Sequence, residues 1–418
     1  MLSPHRCKAR RLLALLLACW ALSGHAQQRI TADEAVALAL SQAHVRQALD
    51  SSVDLARSEV LAVRTWSNPE LTLSEERGNG GSPGSDARET SAVLSQEIEV
   101  GGRRGLRIAA AELGVRAAQT SVAYERAQLR SEVLRAYSRV VAAERFRDAR
   151  QRAAAGLDDL AAVAGKRHKA GDLSGYESRR IAQASTQAGA DAALAESEAR
   201  AARVRLAGWV GDAALTAELD ATPPLPDIPA PSGDAGSAEL EVLRARREQA
   251  AAQARAENRL ALPLSVGVGT KRVEDAGISD NVMIFELGVP LPLFDRNQAG
   301  RTRARAEADM AEARYQQALL QTRNRRTAAL AEARLLSASA RALFESAVPE
   351  AARLTTIARA SFAEGELDLV GLLDAHQAET GVIQQALEQQ SRALDALLEL
   401  QLLSPLDTGF SNPAPLKE

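Results

Sequence analysis

Little in this 418-residue chain could do covalent or redox chemistry. Both cysteines, Cys7 and Cys19, fall within the first 26 residues, and the later histidines, His44, His168 and His376, lie far apart without ligand spacing. Beyond residue 26 that removes disulfides, thiolate metal sites and a cysteine nucleophile, and neither a metal site nor a cofactor is expected. No phosphate-binding glycine loop, nucleophile elbow or acid–base pair placed on loops is found, so no catalytic residues and no enzyme are expected.

Charge is the chemistry that remains. Arg103, Arg104 and Arg107 gather where a strand-like segment gives way to a helical one. Cations at a helix N-terminus oppose its dipole, so a compensating partner is needed: a lipid phosphate, or solvent around a bland cluster. Asp368 and Asp374 stand six residues apart just past a glycine turn, within two helical turns and not quite on one face. Removal of residues 1–26 would leave 47 basic against 54 acidic residues, which argues against a nucleic-acid partner.

The elements that position these residues are written twice. Residues 60–210 moved forward by 194 bring Pro69 onto Pro263, Arg107 onto Arg301, Gly171 onto Gly365, Leu173 onto Leu367 and Gln183 onto Gln377, without a gap. The chain then divides into a signal peptide (1–26), a first repeat (27–222), a Pro-rich linker (223–237), a second repeat (238–404) and a tail (405–418). The leader has a basic start, an apolar core and a small-residue site at Ala26; Leu16–Cys19 alternatively resembles a lipobox, which would acylate Cys19. Only 3% of the chain is aromatic, which disfavours a large globular core and favours long Ala- and Leu-rich helices.

In the first repeat, Thr31 and Glu34 read as a capping box, and a helix follows from about Val45 to Trp66. Strands are expected at Glu70–Glu75 and Ser91–Val100, with a Gly-rich loop from Glu76 to Thr90. One helix then runs from Arg104 to about Lys169, roughly 100 Å at ~1.5 Å per residue, turns at Gly171 and returns from Ser174 to about Leu206. The second repeat predicts a helix at Ala238–Arg259, strands at Leu262–Thr270 and Val282–Leu291, a helix from Asn297 to about Phe362, a turn at Gly365 and a return helix to Leu403. Two short helices together match the long one in length, so a waist is expected where they meet.

The strands alternate. Leu262, Leu264, Val266 and Val268 share one face, Pro263, Ser265, Gly267 and Gly269 the other; Met283, Phe285 and Leu287 oppose Glu286 and Gly288, and Leu94, Ile98 and Val100 oppose Ser95, Glu97 and Glu99. A soluble sandwich would read the same way. Four strands of about ten residues behind a secretory leader, however, have the length to cross a bilayer, and four cannot close a barrel. Three chains would supply twelve.

Two segments resemble a known family. Gln96–Arg104 (QEIEVGGRR) with Arg107, and Val289–Gln298 (VPLPLFDRNQ) with Gly300, are similar to the barrel-exit signatures of the heavy-metal, CzcC-type branch of TolC-like outer-membrane factors. The resemblance implies a mainly α fold with a small β part: duplicated long α-helical hairpins plus four transmembrane strands per chain, trimerising into a twelve-stranded β-barrel and a periplasmic α-barrel. It further implies a Gram-negative outer-membrane location, contact with outer-membrane lipid, a periplasmic adaptor (membrane fusion protein), an inner-membrane pump of the resistance-nodulation-division type, and passive export of heavy-metal cations.

Under that resemblance Lys169, Gly171, Asp172 and Leu173, with Glu364, Gly365, Glu366 and Leu367, form the adaptor-contact tips. Asp374 matches a carboxylate ring position at the periplasmic aperture, near Asp368, while Gly371 occupies a second ring position. The family's closing latch has its acid matched by Glu177, but Phe362 and Leu367 stand where a tyrosine and an arginine are expected, so the latch is weaker or drawn from Lys166, Arg167 or Arg180. Arg103, Arg104 and Arg107 would sit at the inner membrane rim. Export of drugs or secretion of proteins remains open as cargo, and a soluble periplasmic coiled-coil adaptor remains open as a class, although adaptors carry one hairpin rather than two copies.

Overall fold

The computed structural model describes residues 29–79, 86–220, 236–260, 262–275 and 278–404. The expected leader, the tail, the tips of both strand hairpins and nearly all of the Pro-rich linker lie outside the described residues. In chain order the elements are β1 (Arg29–Ile30), α1 (Ala32–Ser41), α2 (Ala43–Arg64), β2 (Glu70–Asn79), β3 (Asp86–Val100), α3 (Arg103–Ala170), α4 (Gly175–Val210), α5 (Ala213–Thr216), β4 (Glu218–Leu219), α6 (Ala238–Asn258), β5 (Leu262–Asp275), β6 (Ile278–Gly288), α7 (Gln298–Ala342), a π-helical turn (Leu343–Ala347), α8 (Val348–Glu364) and α9 (Leu369–Leu402). The chain is mainly helical, with one four-stranded antiparallel sheet.

Two compact units divide the described residues. One takes those within Met1–Val45, Gln128–Pro231 and Ala328–Leu400, the other those within Arg46–Ala127, Ser232–Thr327 and Gln401–Glu418. Each therefore draws on both repeats.

In the first unit, the Thr31 hydroxyl accepts from the Glu34 N–H while the Glu34 carboxylate accepts from the Thr31 N–H, closing the expected box at the start of α1. Ser174 and Glu177 repeat the device at the start of α4. The core joins Val133, Tyr137 and Val140 of α3 to Val36, Leu206 and Ala214, and burial of each large aliphatic side chain there contributes about 1.5–3 kcal/mol. The sequence reading omitted the short parallel pair β1–β4, which this core holds in place. The Tyr137 hydroxyl lies 2.8 Å from the Ile30 carbonyl and 2.9 Å from that of Asp220, and burial, with Asp220 nearby, pushes its pKa up to about 12. Arg203 binds the carbonyls of Ala214 and Ala217 and pairs with Glu144, so the backbone oxygens of this knot are satisfied.

The single long helix expected from Asn297 to Phe362 is interrupted. Pro349 has no N–H, and its ring crowds the carbonyl one turn back; the chain answers with a π-turn, in which the Val348 N–H reaches the Leu343 carbonyl. Gly365, at φ 81°, then ends α8 in the left-handed conformation that glycine adopts without steric cost.

The second unit holds the sheet, in the order β2-β3-β5-β6. Both hairpins are longer than expected. β2 and β3 pair from Glu70–Ser95 out to Asn79–Asp86, so much of the segment read as a Gly-rich loop, Glu76–Thr90, is strand. Within it Glu76 and Glu89 pair on the polar face, whereas Thr90 and Arg88 stand on the face of Leu94, so the apolar alternation fades toward the tip although the pairing continues. β6 conversely ends at Gly288, three residues before the expected Leu291, where Pro290 removes a ladder donor.

Candidate functional site

Three places carry the residues singled out above, and the sheet is the largest. Leu71 faces Leu94, Leu94 faces Val268 and Val268 faces Phe285, so apolar side chains stand in rows on one face. Leu71, Leu73, Leu94, Val266, Val268, Met283, Phe285 and Leu287 are between 44% and 77% exposed. Nothing among the described residues covers them, and an uncovered apolar face of this size needs an apolar surrounding.

The opposite face is polar, tight and acidic. A side chain at Gly269 would put its Cβ 2.4 Å from the Ala92 carbonyl oxygen, and one at Gly267 would meet both Val93 and Glu286 at 3.2 Å. Such crowding marks the inward-curving side of a bent sheet, where glycine relieves close approach. Ladder parity puts eight carboxylates there (Glu70, Glu76, Glu89, Glu97, Glu99, Asp275, Asp280 and Glu286) against one lysine, Lys271, which pairs with Glu89. A concave surface so charged concentrates cations. Glu97, Glu99 and Glu286 had been noted in the sequence as the polar side of their strands; the size of the cluster emerges only once the register adds the rest.

Where strand becomes helix, Gly101 and Gly102 take φ of 98° and 76°, a conformation open to glycine. The three arginines that follow find partners inside the chain. Arg103 pairs with Glu257 at 2.6 Å, Arg107 with Glu99 at 2.7 Å, and Arg104 donates to the Arg64 carbonyl at 2.6 Å while stacking 4.4 Å from the Trp66 ring. Neither lipid phosphate nor solvent is needed to balance them, which corrects the sequence expectation. Glu257 also accepts from the Asn297 side chain at 2.5 Å, holding that residue at φ 58°. Asn297 was read only as part of a motif, and Glu257 was missed; residues 40 apart gave no spacing signal.

Both turns lie in the other unit and share one small core. Ala164, Ile181, Ala358, Phe362, Leu369 and Leu372 are buried there, with Leu173 and Leu367 packed against them. The Asp172 N–H reaches the Arg167 carbonyl at 2.9 Å and the Glu366 N–H that of Ser361 at 2.8 Å, which satisfies the helix ends. Arg167 donates to the Ala363 carbonyl at 3.1 Å and joins the turns. Lys169, Gly171, Asp172, Glu364, Gly365 and Glu366 are exposed.

The aperture residues separate in role. Phe362 is 8% exposed, its ring inside the shared core. Glu177 serves the box with Ser174. Asp368 accepts from the Gly371 N–H at 2.8 Å and so caps α9, whereas Asp374 lies exposed one helical stretch further on.

Behind the turns, His376 is 4% exposed, accepts from Arg359 Nε at 3.2 Å and leaves its Nδ1 without a partner. It borders a pocket of about 240 Å³ that also carries Arg150, Arg180 and Asp191. Burial, then the Arg359 charge, lowers its pKa, against a smaller upward pull from Glu379. With the folded value below the ordinary ~6.5, the unfolded chain binds the extra proton. Stability should therefore be full above about pH 6.5 and fall as pH drops through the folded value. Thermal unfolding between pH 8 and 5 should show this decline, and His376→Gln should flatten it; an equal decline in the variant would remove His376 as its source.

An uncovered apolar sheet face, an acidic concave face and long paired helices together define a membrane channel subunit. The comparisons agree. Residues 235–404 match the family described as Outer membrane efflux protein. The chain is 29% identical over 374 residues to the cobalt-zinc-cadmium resistance protein CzcC of Cupriavidus metallidurans, covering 83% of each, and 26% identical to the nickel-cobalt-cadmium resistance protein NccC of Alcaligenes xylosoxydans, covering 68% of this chain and 65% of that one. Its fold is similar to that of the outer membrane protein VceC of Vibrio cholerae, with a TM-score of 0.72, 19% identity and coverage of 90% and 96%. The chain is thus similar to the outer membrane efflux protein family, by the family model over residues 235–404 and by these relatives over most of its length. It is an efflux channel of the outer membrane that reaches into the periplasm, and not an enzyme.

Proposed function

We propose that three copies of this chain close a twelve-stranded barrel and form the exit duct of a tripartite system for heavy-metal cations. The duct takes its cargo from a periplasmic adaptor resting on an inner-membrane resistance-nodulation-division pump. The observation that carries the cation reading is the concave sheet face, with eight carboxylates against Lys271. In a trimer this face lines the lumen and favours positive ions along the wall. The metal-resistance names of CzcC and NccC point the same way.

In this reading Lys169–Leu173 and Glu364–Leu367 meet the adaptor, Asp374 and its copies ring the aperture, and Arg103, Arg104 and Arg107 lie at the inner rim of the bilayer. Deletion of the gene should lower tolerance to cobalt, zinc or cadmium several-fold and leave antibiotic tolerance unchanged, with restoration by the intact gene. Antibiotic sensitivity with unchanged metal tolerance would instead assign the duct to drug efflux.

A further inference from the structure

The apolar face of the sheet ends at a sharp line. Read in rows from the helix side, Val100 faces Leu262, Ile98 faces Leu264, and Gln96 faces Val266, which faces Leu287. The next two rows are Leu71, Leu94, Val268 and Phe285, then Leu73, Ala92, Thr270 and Met283. The two that follow, on the same face, are Glu75, Thr90, Arg272 and Asn281, then Arg77, Arg88, Glu274 and Ser279. From the Val100 row to the Thr90 row is ~33 Å along the strand at ~3.3 Å per residue, and about 25 Å of height at a tilt of about 40°. That is the height of the apolar band of an outer-membrane barrel, so the charges begin where the lipid tails end. The helices reach the periplasm, which puts this end of the face in the outer leaflet.

We propose that Arg77, Arg88 and Arg272 bind the phosphate groups of lipopolysaccharide in that leaflet. The proposal rests on the outer-membrane channel reading, in which the apolar face meets lipid, and adds which lipid is held and by what. Three observations support it.

First, the arginines are incompletely matched. Arg77 and Arg88 stand directly opposite each other and share a single oxygen of Glu75, at 2.7 and 3.0 Å. Like charges so placed oppose pairing, and one carboxylate oxygen cannot occupy two guanidinium forks of five donors each. Arg272 pairs with Glu274 at 2.9 Å and reaches the Ser279 hydroxyl at 3.0 Å. Three guanidinium groups against two carboxylates leave these rows positive, with arginine side chains 74%, 50% and 60% exposed.

Second, Arg88 and Arg272 border an open hollow of about 670 Å³ together with Thr90, Thr270 and Asn281, and Leu73 lies at its apolar edge. Guanidinium forks grip phosphate in bidentate fashion, and the neighbouring hydroxyl and amide groups suit a sugar. Acyl chains then run down the Leu73 and Met283 rows. Third, barrels commonly mark this boundary with a girdle of aromatic residues, and the two charged rows hold none. Arginine takes that place.

Binding of fluorescent, bisphosphorylated lipid A to the purified full-length protein in uncharged detergent tests the site. The parent should bind it at least about ten-fold more tightly than the same lipid stripped of phosphate, and more tightly than phosphatidylglycerol. Combined Arg77→Gln, Arg88→Gln and Arg272→Gln should remove the preference. Glu75→Gln frees two guanidinium groups from their shared carboxylate and should tighten binding several-fold, so opposite signs separate a lost site from a misfolded protein. Equal binding of the phosphorylated and stripped lipids, an unchanged preference in the triple variant, or weaker binding by Glu75→Gln overturns the site and leaves the channel reading standing. Phosphatidylglycerol bound as tightly as lipid A overturns it in favour of any anionic headgroup. A parent protein absent from the outer membrane overturns both.

Discussion

Glu257→Ala should lower the stability of the detergent-solubilised protein by about 3–5 kcal/mol, the cost of leaving a buried ionic partner unpaired. Arg103 and Glu257 are only 16% and 19% exposed, and the same carboxylate holds Asn297. Arg103 Nε already lacks a partner, so the guanidinium has no alternative once Glu257 is gone. Asn297 loses the bond that keeps it in a left-handed conformation just ahead of α7. Glu257→Gln keeps an acceptor in place and should cost clearly less. Chemical unfolding of the three proteins gives the comparison; a loss below about 1 kcal/mol for the alanine variant would mean that solvent reaches the pair and that the junction is held by other contacts.

Val268→Arg should nearly abolish assembly in the outer membrane. Val268 lies mid-strand in a row between Leu94 and Phe285, and an arginine facing lipid near the midplane of a barrel costs about 2–4 kcal/mol. Closing a symmetric trimer multiplies that cost by three. Thr72→Arg, on the polar face of β2, should assemble nearly as the parent does. Heat-resistant trimer in isolated outer membranes is the readout. Equal amounts from both variants would show that the exposed apolar face does not meet lipid.

These two predictions also measure how much was legible beforehand. Period-two alternation at Leu262–Val268 and Met283–Leu287 assigned the faces correctly, because side-chain direction in a strand follows from position alone. The Thr31 box and the turns at Gly171 and Gly365 were equally readable, being local devices with few residues that can build them. The partners of Arg103, Arg104 and Arg107 were not. Glu257, Glu99 and Arg64 reach them through the way β3, α2 and α6 converge, and no spacing encodes that. The π-turn ahead of Pro349 was visible in principle, since proline inside a helical run always demands an accommodation. The length of the first hairpin was misjudged because its outer pairs, Glu75 with Thr90 and Arg77 with Arg88, put polar side chains on the otherwise apolar face, and glycine and serine follow near the tip.

The Tyr137 hydroxyl joins Ile30, almost the first residue of the described chain, to Asp220, and Arg29 meets Glu218 across 189 positions. An exported polypeptide emerges from its N-terminus, so Ile30 has to wait, uncommitted, while nearly two hundred further residues cross the inner membrane. Closing so long a loop is slow relative to winding a helix or zipping a hairpin. The clasp between the two ends of the first repeat therefore belongs among the last steps of its maturation.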